Sequence, residues 1–207
     1  AATLMRSLDL EGDLKIVGPI EVDGLGESKW DLAIQLMGGA ATPQDEFADL
    51  IGVEGPFWST DLQLDQVDAV IHATAEQVAI RSFIASGNGM DLDISGRVHL
   101  QDDMLTELDI QADGVQIQDR MLQFAPDTIR PELAELWRDW SPAGRMDLLA
   151  EIRGHGPSRS AMVAVDRLDV ELTFDGITER LRMTDGEVVI DRDQLRIDDV
   201  RLQASVG

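Results

Sequence analysis

Cysteine is absent from the 207-residue chain, and so is tyrosine. Without cysteine, disulfides and thiolate metal sites are ruled out, while the redox compartment stays open. Aromatic residues make up only 4% of the chain, which argues against exposed ring platforms for stacking sugars or bases. No run approaches the roughly 18 apolar residues of a spanning helix, and no methionine start or signal peptide is visible. Basic residues are scarce as well: 17 Lys and Arg face 40 Asp and Glu, for a net charge of −23. That argues against a nucleic-acid partner, because phosphate contacts need a basic face, and against electrostatic docking to anionic headgroups. The charge runs through strands and turns without a block of like residues, so it reads as a solvated surface and not an acidic tail.

What the chain has in quantity is period-two alternation. Leu8 and Leu10, Leu14 and Ile16, then Ile20 and Val22 sit between Gly12, Gly18 and Gly24, and Trp30, Leu32, Ile34 and Leu36 follow as a longer strand. Alternation bounded by glycine and aspartate marks antiparallel strands with one wet face. From residue 57 strands are expected at 62–67, 69–74, 78–84, 90–94, 96–100 and 105–117. A second series is expected at 145–152, 162–165, 168–174, 178–183, 187–190, 194–197 and 200–206. Asp113-Gly114 reads as a hairpin turn or bulge, and Asp175-Gly176 and Asp185-Gly186 as turns. Strands this closely spaced, with short polar turns, fit a meander of hairpins and not βαβ units.

One stretch breaks the pattern. Ile129, Leu133, Leu136, Trp137 and Trp140 form an apolar stripe at helical spacing. Asp127 or Thr128 can cap its start, Pro131 suits the first turn, and Ser141-Pro142 stops it. A helix over about 129–140 is expected, docking on the sheet through Leu133, Leu136, Trp137 and Trp140, with a minor helix over about 43–51. The expected fold is mainly β: an extended, curved, groove-like antiparallel sheet in a single β-rich segment, 1–207, without an internal linker. The alternation runs on to Val206 without a closing cap, which suggests a segment of a longer chain.

Residue chemistry points to no catalytic group and no cofactor or metal. His72, His99 and His155 have no partner at ligand spacing. His155 with Ser158 or Ser160 lies in a loop lacking the strand–G-x-S-x-G–helix context, so it reads as a hairpin connection. The aspartate pairs, such as Asp91 and Asp93, mark wet strand faces and lack the D-x-D-x-D-G calcium pattern. The remaining candidate is the dry face itself: Leu92, Ile94, Val98, Leu108, Ile110, Met146, Leu148, Ile152, Val163, Val165, Val170 and Leu172. In a closed sandwich these residues make core; in an open sheet they line a groove for acyl chains.

The order Leu92-Asp-Ile-Ser-Gly-Arg-Val98, Leu108-Asp-Ile-Gln-Ala-Asp-Gly-Val115, Met121-Leu-Gln-Phe-Ala-Pro126, a helix, then Ser141-Pro-Ala-Gly-Arg-Met-Asp-Leu148 resembles the bacterial AsmA-like family, with its TamB and YhdP relatives. Asp185-Gly-Glu-Val-Val-Ile190 through Leu202 resembles that family's repeated hairpin. Phe124-Ala-Pro126 departs from the family's A-L-P, and the acidity is not a family trait. The resemblance implies a long sheet curled into a groove, a non-enzymatic role in phospholipid transport or outer-membrane assembly, and a periplasmic location in the bacterial envelope. It further implies membrane contact through regions outside this segment, and adjacent repeats of the same chain as partners. The rival expectation is a structural or interaction β-module with a closed core and no lipid.

Overall fold

The computed structural model describes residues 9–22, 28–42, 63–100, 105–124, 130–155, 160–191 and 194–205. The protein is mainly β. Its strands are β1 (Leu10–Val17), β2 (Ile20–Val22), β3 (Ser28–Ala41), β4 (Leu64–Thr74), β5 (Gln77–Gly87), β6 (Met90–His99), β7 (Leu105–Gln116), β8 (Ala143–His155), β9 (Ser160–Phe174), β10 (Ile177–Asp191) and β11 (Gln194–Ser205). They form one sheet of eleven strands in the order β1-β3-β4-β5-β6-β7-β8-β9-β10-β11, with β2 also on β3. All the registered pairs are antiparallel. β1 and β2 lie along the same side of β3, through Val17↔Ala33 and Ile20↔Trp30, separated only by Gly18-Pro19.

Sequence order equals spatial order because the connections that carry turn chemistry are tight. Asn88-Gly89 and Asp175-Gly176 have positive φ at both residues (53° and 73°, 50° and 79°), the conformation of two-residue primed turns that match strand twist. They join Gly87 to Met90 and Phe174 to Ile177.

The strands are longer than their sequence pattern suggests. The runs expected as separate strands at 90–94 and 96–100 are one strand, β6, and the same holds within β4, β9, β10 and β11. Their interruptions are irregularities inside a continuing strand. The β10–β11 register slips on both sides of Asp185, where Gly186 has φ 98° and Asp199 opposite has φ 48°. Asp185-Gly186 is therefore a bulge and not a turn, and at Gly96 (φ 136°) β6 likewise runs on, beside a bulge that β5 carries between Ile80 and Phe83. Bulges of this kind keep the strand running while increasing its local twist.

One α-helix, α1 (Arg130–Trp140), and a 3-10 turn (Asp119–Phe124) lie between β7 and β8 among the described residues. Pro131 stands in the first turn as expected. Ser141, with φ 40°, donates its N–H to the Trp137 carbonyl at 2.9 Å and closes the helix, a left-handed cap filled by a non-glycine residue. The capping residues 127 and 128, Ile129 and the short helix expected over 43–51 lie outside the described residues.

Packing groups the chain into two compact units. The first comprises Ala1–Ile110 and Ile152–Arg159, the second Gln111–Glu151 and Ser160–Gly207. In the first, cross-strand neighbours on one face are buried together: Ile34 beside Ile71, Ala69 beside Leu36 and Phe83, Ala73 beside Val78, and Val98, Ile94 and Leu92 beside Val78, Phe83 and Ala85. The second has a thin interior. Its buried apolar residues among the described ones are Ala112, Val165, Val170 and Val189.

Candidate functional site: apolar faces and an arginine-bridged wet face

The twelve candidate lining residues divide by unit. In the first, Leu92, Ile94, Val98, Leu108 and Ile152 are buried and Ile110 is half-buried. These side chains already pack against protein, and Leu108 is only 3% exposed. In the second, Val165 and Val170 are buried, whereas Met146, Leu148, Val163 and Leu172 are half-buried. Val165 and Val170 stand an odd number of positions apart, which would put them on opposite faces of an unbroken strand. The β9–β10 register slips between Arg182 and Val188 beside them, so strict alternation does not carry through this stretch.

Helix α1 meets β9, yet none of its residues is buried. Leu133 and Trp137 are half-buried, while Leu136 and Trp140 are 53% and 40% exposed. The contact at its end is a stack: the Trp140 ring lies 5.3 Å from that of Phe174, at an interplanar angle of 28°. Arg130 Nε donates to the Leu122 carbonyl at 3.1 Å and ties the helix start to the 3-10 turn.

The opposite, wet face carries a series that sequence reading missed. From β6 onward an arginine–carboxylate pair bridges each neighbouring strand pair. Arg97 reaches Glu107 between β6 and β7, and Arg153 reaches Asp109 between β7 and β8. Arg167 lies 3.3 Å from Asp147 between β8 and β9. Arg180 grips Asp169 with two bonds of 2.6 and 2.5 Å between β9 and β10. Arg196 meets Glu187 at 3.4 Å, and Arg201 meets Asp185 at 3.7 Å, between β10 and β11. The hydrogen bond from Arg180 holds the Asp169 carboxyl below the usual carboxylate range, and Arg97 does the same to Glu107. The two-bond Arg180–Asp169 fork is a geometry lysine cannot supply. Of the 17 basic residues, 15 are arginine, and every one from residue 97 onward is.

Asp147 ties together the strands on both sides of its own. It accepts the Gly114 N–H at 2.8 Å, inside β7 where Gly114 has φ 74°, and it pairs with Arg167 on β9. One side chain on β8 thus stitches the strands on either side, and its exposure is only 14%. Three residues earlier, Gly144 leaves no room for a side chain: a Cβ there would lie 2.2 Å from the Asp169 carbonyl oxygen. The Gly144 carbonyl in turn accepts the Ile117 N–H at 3.0 Å. The step from Gly144 to Asp147 is thus a sheet-joining device.

The histidines do not converge. His72 Nε2 lies 2.5 Å from Asp31 Oδ1 across the β3–β4 pair, His99 ends β6 and His155 ends β8. Ser158 lies outside the described residues. Among the described residues no group of three or more His, Asp or Glu side chains could hold a metal ion, and no helix is long and apolar enough to cross a membrane. The fold and faces define a single-sheet, antiparallel β protein with an ion-paired wet side and an unevenly covered dry side. No family model, no curated protein and no solved structure matches the chain.

Proposed function

We propose that the chain is a non-enzymatic segment of a bacterial envelope protein whose apolar sheet face holds phospholipid acyl chains, on the periplasmic side, in lipid transport or outer-membrane assembly. The observation that carries this reading is the incomplete cover of the second unit. Met146 and Leu148 on β8, and Val163 and Leu172 on β9, are long or branched apolar side chains left half-buried. Each methylene a lipid tail brings out of water onto such a surface contributes about 0.8 kcal/mol, so binding requires shape and no reactive group. The resemblance of residues 90–150 to AsmA-like proteins supports the same reading and supplies the envelope setting. With it come membrane contact through regions outside this segment and neighbouring repeats of the same chain.

A closed β-module is the second reading, and the first unit favours it. Leu64, Val67, Ala73 and Ala85 are at most 1% exposed, enclosed by protein atoms alone. The acyl-binding role is therefore assigned to the second unit.

Native mass spectrometry after gentle purification tests the assignment. Co-purified phospholipid is expected in the wild type, strongly reduced in Leu148→Asp and unchanged in Ile84→Asp, whose site in the first unit is 50% exposed. A lipid-free mass, together with no uptake from phosphatidylethanolamine vesicles, would establish the closed module instead.

A further inference from the structure

The second unit carries an exposed apolar patch that neither the sheet interior nor the lipid reading uses. Leu136 and Trp140, one helical turn apart, share a face of α1. Trp140 stacks on Phe174, and Phe174 pairs with Ile177 across the Asp175-Gly176 turn. The four are 53%, 40%, 47% and 66% exposed, respectively. They form a continuous run from helix to hairpin tip.

The surroundings of the patch carry the wrong charge for two occupants. Leu136 has Glu132 one turn before it and Asp139 three residues after it, with Glu135 on the same flank. Asp175 occupies the hairpin tip, and Glu179, two residues beyond Ile177, shares its strand face. The cation on the helix, Arg138, is already engaged with Asp139. A second copy of the chain would bring another net −23, and an anionic bilayer surface would be repelled in the same way.

We infer that the Leu136–Trp140–Phe174–Ile177 patch is a docking site for a cationic polypeptide segment, one that sets apolar anchors among lysines or arginines. Aromatic rings supply the packed centre of such contacts, and the acidic flank steers the partner and fixes its sign. This goes beyond the acyl-binding reading and does not depend on it.

Two synthetic amphipathic helical peptides, one of leucine and lysine and a matched one of leucine and glutamate, test the inference by isothermal titration calorimetry against the full chain. The lysine peptide is expected to bind, more weakly as salt rises, and the glutamate peptide not to bind. Ile177→Ser and Leu136→Ser should each weaken binding about tenfold, a loss of roughly 1.4 kcal/mol, whereas Ile84→Ser in the first unit should leave it unchanged. Circular dichroism on each variant confirms that its fold is intact. Equal binding of both peptides, binding of neither, or patch variants that bind like the wild type would overturn the assignment. So would attachment to phosphatidylcholine vesicles in place of the lysine peptide.

Discussion

Replacing the same residue type in two settings separates a packed face from an open one. Leu108 on β7 is 3% exposed and Leu136 on α1 is 53% exposed, although both sit on apolar stripes of the sequence. Leu→Ala removes three carbons, about 2.4 kcal/mol of transfer free energy at ~0.8 per carbon. At Leu108 the surrounding strands cannot collapse fully, and the cavity adds to that loss, so the expected cost is about 2–5 kcal/mol. At Leu136 roughly half the side chain never leaves water, solvent fills the gap, and alanine is the better helix former by a few tenths of a kcal/mol. The expected cost there is about 1 kcal/mol or less. Urea unfolding followed by far-UV circular dichroism measures both, provided the m-value stays constant. A Leu136→Ala loss equal to that of Leu108→Ala would mean the helix is sealed against the sheet, and the contrast between covered and open faces would fail. A Leu108→Ala loss below about 1 kcal/mol would show that the first unit is not packed as described.

Two further outcomes follow from the wet face. Asp169 and Glu107 have carboxyl groups held below their ordinary range by hydrogen bonds from Arg180 and Arg97. Their contribution is thus complete above the unfolded carboxylate range, near pH 4, and is lost as pH falls through the lowered folded values. Urea midpoints measured from pH 6 down to pH 3 should fall less steeply in Asp169→Asn and Glu107→Gln than in the wild type, and parallel profiles would contradict the bridges. For Asp147, alanine leaves the Gly114 N–H and Arg167 without their acceptor and should cost about 1–3 kcal/mol. Asparagine keeps an oxygen for Gly114 and should cost less, so equal losses in the two variants would refute the strand-stitching role.

Much of the architecture is legible because local chemistry and period agree. Asn88-Gly89 and Asp175-Gly176 have the residues their primed turns demand, and the stripe from Leu133 to Trp140 fixes the helix to within a residue of its start. The strand count is not legible. Gly96, Asp185-Gly186 and Asp198-Asp199 carry the composition of turns but lie within continuing strands, and composition does not say whether the chain reverses. A bulge there or on the facing strand also resets which residues oppose one another. The pairing of Arg180 with Asp169, or of Arg153 with Asp109, therefore depends on a register that only the folded sheet defines. For the same reason the apolar residues of the two units look alike in sequence: alternation identifies a dry face but not how well it is covered. Phe174 continues the alternation of Val170 and Leu172, but that alternation does not show that the strand's last apolar residue and Ile177 beyond the turn stay exposed.

The arginine-only wet face also determines where this protein can be chemically addressed. Lysine occurs at Lys15 and Lys29 alone, on β1 and β3 of the first unit. Side-chain amine reagents such as succinimidyl dyes or acylating crosslinkers therefore decorate that unit and leave the guanidinium bridges of the other intact. A fluorophore or surface tether can be placed by ordinary labelling chemistry, far along the sequence from the half-covered strands it would report on.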